Sequence, residues 1–429
     1  MLAETAFRGP LENDASGFDA VVVPTRASPP IPLESPAMPE DGAQVRHDKV
    51  GAGRLLLAFL RLGLTAFGGP AMVAYIRELA VRRKGWVPAD TFQRGVALCQ
   101  SIPGATAMQV AAYTGLRAGG PLGAVAAFVG FGLPAFVLMV ALAAGYQATH
   151  SIAPVMAAFR GLQAVVVALV ANAAVSFGRS GIKGWREGFL AAAAAAFLAA
   201  GGSPFLAIPG AAVAGCLLLP RVPERPRQIA SSLGMGHLRP ALVVAAGFAA
   251  CLVVLALADC RLFDLAVLMA RIDLFAFGGG YASVPIMLHE IVVARHWMDA
   301  KTFMDGIALG QATPGPIVIT ATFVGYQLAG LAGAIVATVA VFSPSLIILL
   351  GAVPFLDRLQ GSETVQRALQ GILASFVGLL FAVGLRFALA AAWQPLSAAL
   401  ALAAFTALRA KVDVLWVVIA GAVLGALLL

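Results

Sequence analysis

The chain repeats itself, and any fold it adopts must accommodate two copies of one unit. Residues 61–70 read RLGLTAFGGP and residues 271–280 read RIDLFAFGGG, with six of ten positions identical at an offset of 210. After a one-residue slip, 86–104 match 297–315 at ten of nineteen positions, among them Trp86 with Trp297, Gln100 with Gln311, Pro103 with Pro314 and Gly104 with Gly315. The offset returns to 210 at Gly115 and Gly325, then holds through Pro134 and Pro344 to Gly161 and Gly371. Matches of Arg, Phe-Gly-Gly, Trp, Gln and Pro-Gly in one order mark an internal duplication.

Composition fixes the solvent. Apolar residues make up 60% of the chain before its 46 glycines are counted, and charged residues only 12%. A soluble domain is about 45–50% apolar with glycine included and about 25% charged. Too few charges remain to make a polar skin, which excludes a soluble enzyme, a disordered chain and a fibrous one, and leaves an all-α polytopic membrane protein. The net charge of +8 does not signal nucleic acid, because the basic residues sit in short gaps between apolar runs, as membrane-flanking loops do. The four cysteines lack metal-ligand spacing, so no metal site, cofactor or disulfide framework is expected. Residues 1–48 hold seven prolines and eight acidic residues and read as a disordered tail, not a secretory signal.

A spanning helix needs about 20 apolar residues. Thirteen runs from residue 54 on approach that length, including 54–76, 95–115, 262–287 and 306–326. Two short runs, 189–202 and 204–220, read as a tight pair or a re-entrant hairpin. Seven crossings then separate the starts of the copies, an odd number, so the copies are inverted in the bilayer; a single merged crossing of the two short runs would instead make them parallel. Inverted repeats with broken helices mark secondary transporters, whose substrate sits between the halves near the midplane. The distribution of Lys and Arg places the N-terminus in the cytoplasm. One loop contradicts it: Arg77, Arg82, Arg83, Lys84 and Arg94 fall outside on this count. Either that loop has a role there, or the first run is a broken helix that does not cross.

Each copy carries two interruptions rich in glycine and proline. One is Phe67, Gly68 and Gly69, matched by Phe277, Gly278 and Gly279; the other is Pro103 and Gly104, matched by Pro314, Gly315 and Pro316. Proline removes a backbone donor and glycine admits non-helical angles, and in hydrocarbon such breaks persist only inside protein or beside a cavity. A break exposes helix N-termini, whose free N–H groups attract anions. Packing kinks are the bland alternative, but paired breaks at matched positions point to a transport site. Arg61 and Arg271 share one repeat position six residues before the phenylalanine, and a guanidinium fork suits an oxyanion; snorkelling to the interface is its plainer role. Thr65, Gln100, Gln311 and Thr313 are candidates to line a polar path, or to glue helices together. Asp273 reads as a salt-bridge partner of Arg271 or as a proton-coupling carboxylate. Trp86 and Trp297 read as interfacial anchors. A membrane-embedded enzyme on a lipid-linked substrate is the remote alternative; it calls for aspartate clusters, and here the acids in the runs are isolated, as Asp264 and Asp273 are.

At these segments, LTAFGGP with IPG in the first copy and FAFGGGYASVPIM with TPGPIVITATFVGY in the second, the chain resembles the chromate ion transporter (CHR) family, in its two-domain long-chain form. The resemblance divides the chain into the tail 1–48, a first CHR repeat over 50–220, a basic linker with an extra helix over 221–261, and a second CHR repeat over 262–429. It implies efflux of chromate, a dianion shaped like sulfate, coupled to the proton motive force, in a multi-pass protein of the cell inner membrane. A sulfate or other oxyanion permease is the alternative within transport. The partners implied are chromate or sulfate and the lipid bilayer, with a homodimer admitted and no nucleic acid.

Overall fold

The computed structural model describes residues 49–67, 71–149, 152–220, 238–355 and 362–429. The tail expected over 1–48, Gly68 and Gly69 of the first break, and residues 221–237 of the linker lie outside them. Every regular element among the described residues is helical. Hydrocarbon imposes this, because each backbone polar group needs a partner within the protein and a helix supplies it within one segment.

The first copy runs through α1 (Ala52–Thr65), α2 (Ala71–Arg77, followed by a π-helix Glu78–Arg83), α3 (Ala89–Ser101), α4 (Thr106–Thr149), α5 (Ala153–Gly181), α6 (Trp185–Ala199) and α7 (Pro204–Leu218). Helix α8 (Arg239–Ala258) stands between the copies. The second copy runs through α9 (Cys260–Phe275), α10 (Ser283–Met287, followed by a π-helix Leu288–Ala294), α11 (Ala300–Ala312), α12 (Thr320–Ala352), α13 (Glu363–Ala390), α14 (Pro395–Arg409) and α15 (Val414–Leu428). Helices α5, α6 and α7 begin 210 residues before α13, α14 and α15, so the duplication visible in sequence as far as Gly371 continues through the last helix.

The apolar runs 95–115 and 306–326 do not cross. The Tyr113 hydroxyl donates to the Thr91 carbonyl at 3.3 Å. Were α3 and α4 collinear, residues so far apart would lie about 30 Å from one another. The chain instead doubles back at Ile102–Ala105, and Gly95 leaves room for the Tyr113 ring. The second copy does the same, with Gly306 facing the Phe323 ring. The run 262–287 also folds back: the Arg295 guanidinium meets the Asp264 carboxylate at 2.9 Å, which joins the start of α9 to the end of the π-helix after α10. In the first copy, the Val50 amide donates to the Ala118 carbonyl at 3.0 Å, setting the start of α1 beside the end of the arm that pairs with α3. Both ends of the stretch 50–91 therefore lie on one side, and the run 54–76 enters and returns. The basic loop of Arg82, Arg83 and Lys84 thus lies on the side where α1 begins, and the contradiction in the charge distribution disappears.

Helix α4 bends sharply at Gly120, whose φ of 73° admits only glycine without strain, and α12 bends at the matched Gly330, φ 60°. The arms are pressed together at Gly115 and Gly123, where a methyl group on either would strike the other's carbonyl. Among the described residues, only the second arms of α4 and α12, with α5, α8 and α13, have the length and apolarity to cross. Three of these five lie between the starts of the copies. The α6–α7 pair returns to its own side, since the Arg186 guanidinium reaches the Leu218 carbonyl at 2.8 Å. Among the described residues the candidate crossings are fewer than the apolar runs suggested, yet those between the starts of the copies are odd in number, as inverted copies require.

The copies also exchange partners. Helix α5 packs on α14 and α15 of the second copy, and α13 on α6 and α7 of the first. Gly161 lies against Gly425, and its repeat mate Gly371 against Gly215, so that small residues bring the helix backbones close.

Candidate functional site

Two hairpins from each copy bring their tips together. The Gly104 amide donates to the Ala276 carbonyl at 2.9 Å, and the Gly315 amide donates to the Ala66 carbonyl at 3.1 Å. Each bond joins the Pro-Gly break of one copy to the Phe-Gly-Gly break of the other. The reciprocity is that of a two-fold contact, in which the same patch meets itself. Gly104 and Gly315 adopt φ of +116° and +123°, which L side chains rarely reach. A methyl group on Gly104 would strike the Ser345 hydroxyl, and one on Gly315 would stand 2.8 Å from the Ala135 methyl.

The tips are polarised. Carbonyls at the ends of α1 and α9 are capped by the glycine amides of the opposite copy. The returning arms that start at Thr106 and Ile317 point their N-terminal turns, with their surplus N–H groups, at the same crossing. Gly279 approaches the Thr106 hydroxyl, and Gly278 faces Leu373 of α13 and Phe177 of α5. The tip of the second copy is thus walled by both long helices.

The other residues singled out from the sequence divide. Pro314, Gly315, Pro316, Gly104 and Thr313 are buried at the tips, and the Thr313 hydroxyl donates to the Gly310 carbonyl at 2.8 Å. The Pro103 carbonyl accepts from the Gln109 amide at 2.6 Å. Gln311 donates to the Tyr281 hydroxyl at 3.0 Å. Gln100, Arg61 and Thr65 are exposed, and the Thr65 hydroxyl turns back to its own helix. The Arg271 guanidinium lies 4.3 Å from the centre of the Phe205 ring on α7, a cation–π contact across the copies. No contact joins Arg61 to Arg271 among the described residues.

Asp273 pairs with Ser345, not with Arg271. The carboxylate is fully buried; it accepts from the Ser345 amide at 2.7 Å and from the Ser345 hydroxyl, which in turn accepts from the Ala105 amide at 3.1 Å. Asp273 is thereby tied to the tip of the opposite copy. The matched positions in the first copy are Gly63 and Ala135, so the knot is polar in one half only. Ser345 and Gln109 carried no signal in the sequence beyond the departure of Ser345 from its repeat mate.

The family model described as chromate transporter matches the chain twice, over residues 53–216 and 263–426. The chain belongs to the chromate transporter family. The transporter is 43% identical to an uncharacterised transporter of Methanocaldococcus jannaschii over 90% of its own length and 96% of the relative's. It is 32% identical to a chromate transport protein of Pseudomonas aeruginosa, over 76% of this chain and 79% of that one. A chromate transport protein of Cupriavidus metallidurans is 30% identical over 76% and 80%. No solved structure matches. Both family matches contain both hairpins, so the crossing of tips is built from the parts that define the family.

Proposed function

We propose that the chain exports chromate across the cell inner membrane, with its N-terminus in the cytoplasm, and that the four hairpin tips hold the dianion. The reciprocal bonds between Gly104 and Ala276 and between Gly315 and Ala66 carry this reading. They bring non-helical backbone to the middle of the fold, where only a protein-lined site makes it tolerable. N–H groups of the arms starting at Thr106 and Ile317 supply donors. Arg271, which Phe205 holds in place, and Arg61 supply the charge that draws the anion in. The relatives named for chromate transport support the choice of oxyanion. In this reading 50–220 and 262–429 are the two working halves, and 221–261 is a connection.

The side with Lys49, Arg54, Arg77, Arg82, Arg83 and Lys84 is the basic side, which supports a cytoplasmic N-terminus. Export of a dianion from a negative interior releases roughly 4.6 kcal/mol per 100 mV. Potential alone is therefore sufficient to drive the step, and proton coupling adds a second gradient. Asp273, buried at the tip crossing, is one buried acid available for that coupling. Labelled chromate uptake into everted vesicles tests the whole reading, with and without a potential, a pH gradient and excess sulfate. Accumulation that a pH gradient raises and sulfate leaves intact is the expected result. Full competition by sulfate, or flux in the opposite direction, would replace chromate export with a general oxyanion permease.

A further inference from the structure

Asp305 is a second buried carboxylate, and it stands apart from the tips. It sits on α11, eight residues before the second-copy tip, and is 5% exposed. Its Oδ1 accepts from the Gln163 amide of α5 at 2.9 Å, and its Oδ2 from the Tyr146 hydroxyl of α4 at 3.0 Å. Both partners are neutral, and among the described residues no cation pairs with it. An uncompensated carboxylate at this depth is costly and marks a functional position.

The hydrogen bonds do not stop at Tyr146. Its hydroxyl interacts with the side chain of Thr302, and the Thr302 hydroxyl donates to Asp299 Oδ2 at 3.2 Å. Asp299 is exposed, at the start of α11, on the side opposite the chain's N-terminus. A row of exchangeable groups thus leads from the surface to Asp305, hydrogen-bonded at its two ends, with Thr302 and Tyr146 facing each other in the middle. The Tyr146 ring is gripped edge-on by Phe159 and Phe323, with centroids 4.9 and 5.2 Å away, which keeps the middle of the line apolar on its flanks. The plainer account is a helix cap at Asp299 and a satisfied core carboxylate. It does not explain why the first copy has nothing similar: the matched positions there are Pro88, Thr91 and Arg94, and Gln163 is matched by Leu373.

We propose that Asp299, Thr302 and Tyr146 conduct protons from the side opposite the N-terminus to Asp305, which binds the coupling proton of transport. A proton arriving at Asp299 is passed to the Thr302 oxygen, Thr302 gives its own proton to the Tyr146 oxygen, and Tyr146 gives its own to Asp305 Oδ2. One proton enters and one is held as a carboxylic acid, and rotation of the two hydroxyls resets the line. The ionisable groups facing Asp305 from its own element are Asp299 and Lys301. On the elements packed against it, Arg160 of α5 donates to the Leu429 carbonyl at 3.2 Å, and Arg386 of α13 donates to the Leu198 carbonyl at 3.0 Å with His289 near it. Glu290 is paired with Arg295 at 3.7 Å, and α15 has no ionisable side chain. The inference rests on the proton-driven reading given under Proposed function, and its test separates the two.

The test uses the full chain in proteoliposomes. Infrared difference spectra between acid and alkaline medium report carboxylic-acid formation without any transport. A carbonyl band that is lost in Asp305→Asn and shifted but kept in Asp305→Glu is the expected result. After a pH jump on the Asp299 side, the band should rise about tenfold more slowly in Tyr146→Phe, the effect of losing roughly one hydrogen bond. Thr302→Val should show the same delay and Thr302→Ser should not. A band that survives in Asp305→Asn overturns the proton site, and unchanged rates in both hydroxyl variants overturn the conducting line. If the band and delays are as expected but chromate flux ignores a pH gradient, the site stands and the proton-driven reading falls. If flux responds to the gradient and Asp305→Asn responds equally, the coupling role of Asp305 is wrong.

Discussion

At Gly104 a single methyl group would meet two obstacles at once, a backbone angle closed to L residues and the Ser345 hydroxyl. Gly104→Ala should cost about 2–6 kcal/mol, summing strained backbone and overpacking. Thermal unfolding in detergent and vesicle transport together check this, with both falling. Asp273 and Ser345 invite a double-mutant cycle. Ser345→Ala should lower stability by about 1–3 kcal/mol, because it strips a buried carboxylate of a donor and frees the Ala105 amide. Asp273→Gly with Ser345→Ala reproduces the Gly63 and Ala135 pair of the first copy, and should recover part of that loss while transport stays impaired. Simple additivity of the two changes would show that the knot is not a unit. For Arg271, alanine should abolish chromate resistance in cells while the protein still reaches the membrane. Lysine should restore little, since it lacks the planar fork and its stacking on Phe205. Normal resistance in Arg271→Ala would remove the arginine from the anion path.

The elements show how far the sequence could be read. The breaks at Phe67 and Phe277 and at Gly104 and Gly315 were legible, because glycine and proline interrupt the apolar runs at matched positions of the two copies. That each break reverses the chain was not legible. A run such as 95–115 has the length of one span whether its halves continue or fold back, and periodicity is the same in both cases. The basic loop at Arg77–Arg94 held the clue, since one of the two ways to account for its charge was that 54–76 returned to its own side. Asp305 had no local signal, because Tyr146 and Gln163 reach it from helices of the other copy. The reversal has a direct check. In a cysteine-free background, Lys49→Cys and Lys84→Cys should react with an impermeant maleimide from the same side of the membrane, and Lys301→Cys from the other. Labelling of Lys84→Cys together with Lys301→Cys would mean that α1 and α2 cross after all.

At the scale of the molecule, the two copies are not two domains side by side. Each lends its last helix pair to the long helix of the other, α14 and α15 to α5, and α6 and α7 to α13. The close backbone approaches of Gly161 with Gly425 and of Gly371 with Gly215 exist only in this exchange. The tip bonds repeat the pattern at the centre, since each copy caps the other's carbonyl. A half alone would therefore leave its long helix without partners and its tip without caps, although its own hairpins are all present. If the chain is cut within 221–237, where the family matches leave a gap, neither half expressed singly should resist proteolysis or carry chromate. Co-expression of both should restore a protease-resistant complex and transport, because every exchanged contact can form between separate chains. Transport by the second half alone would show that the Asp273–Ser345 pair suffices without an inverted partner, and that the first copy, with the Tyr146 and Gln163 it lends to Asp305, is a support rather than half of the machine.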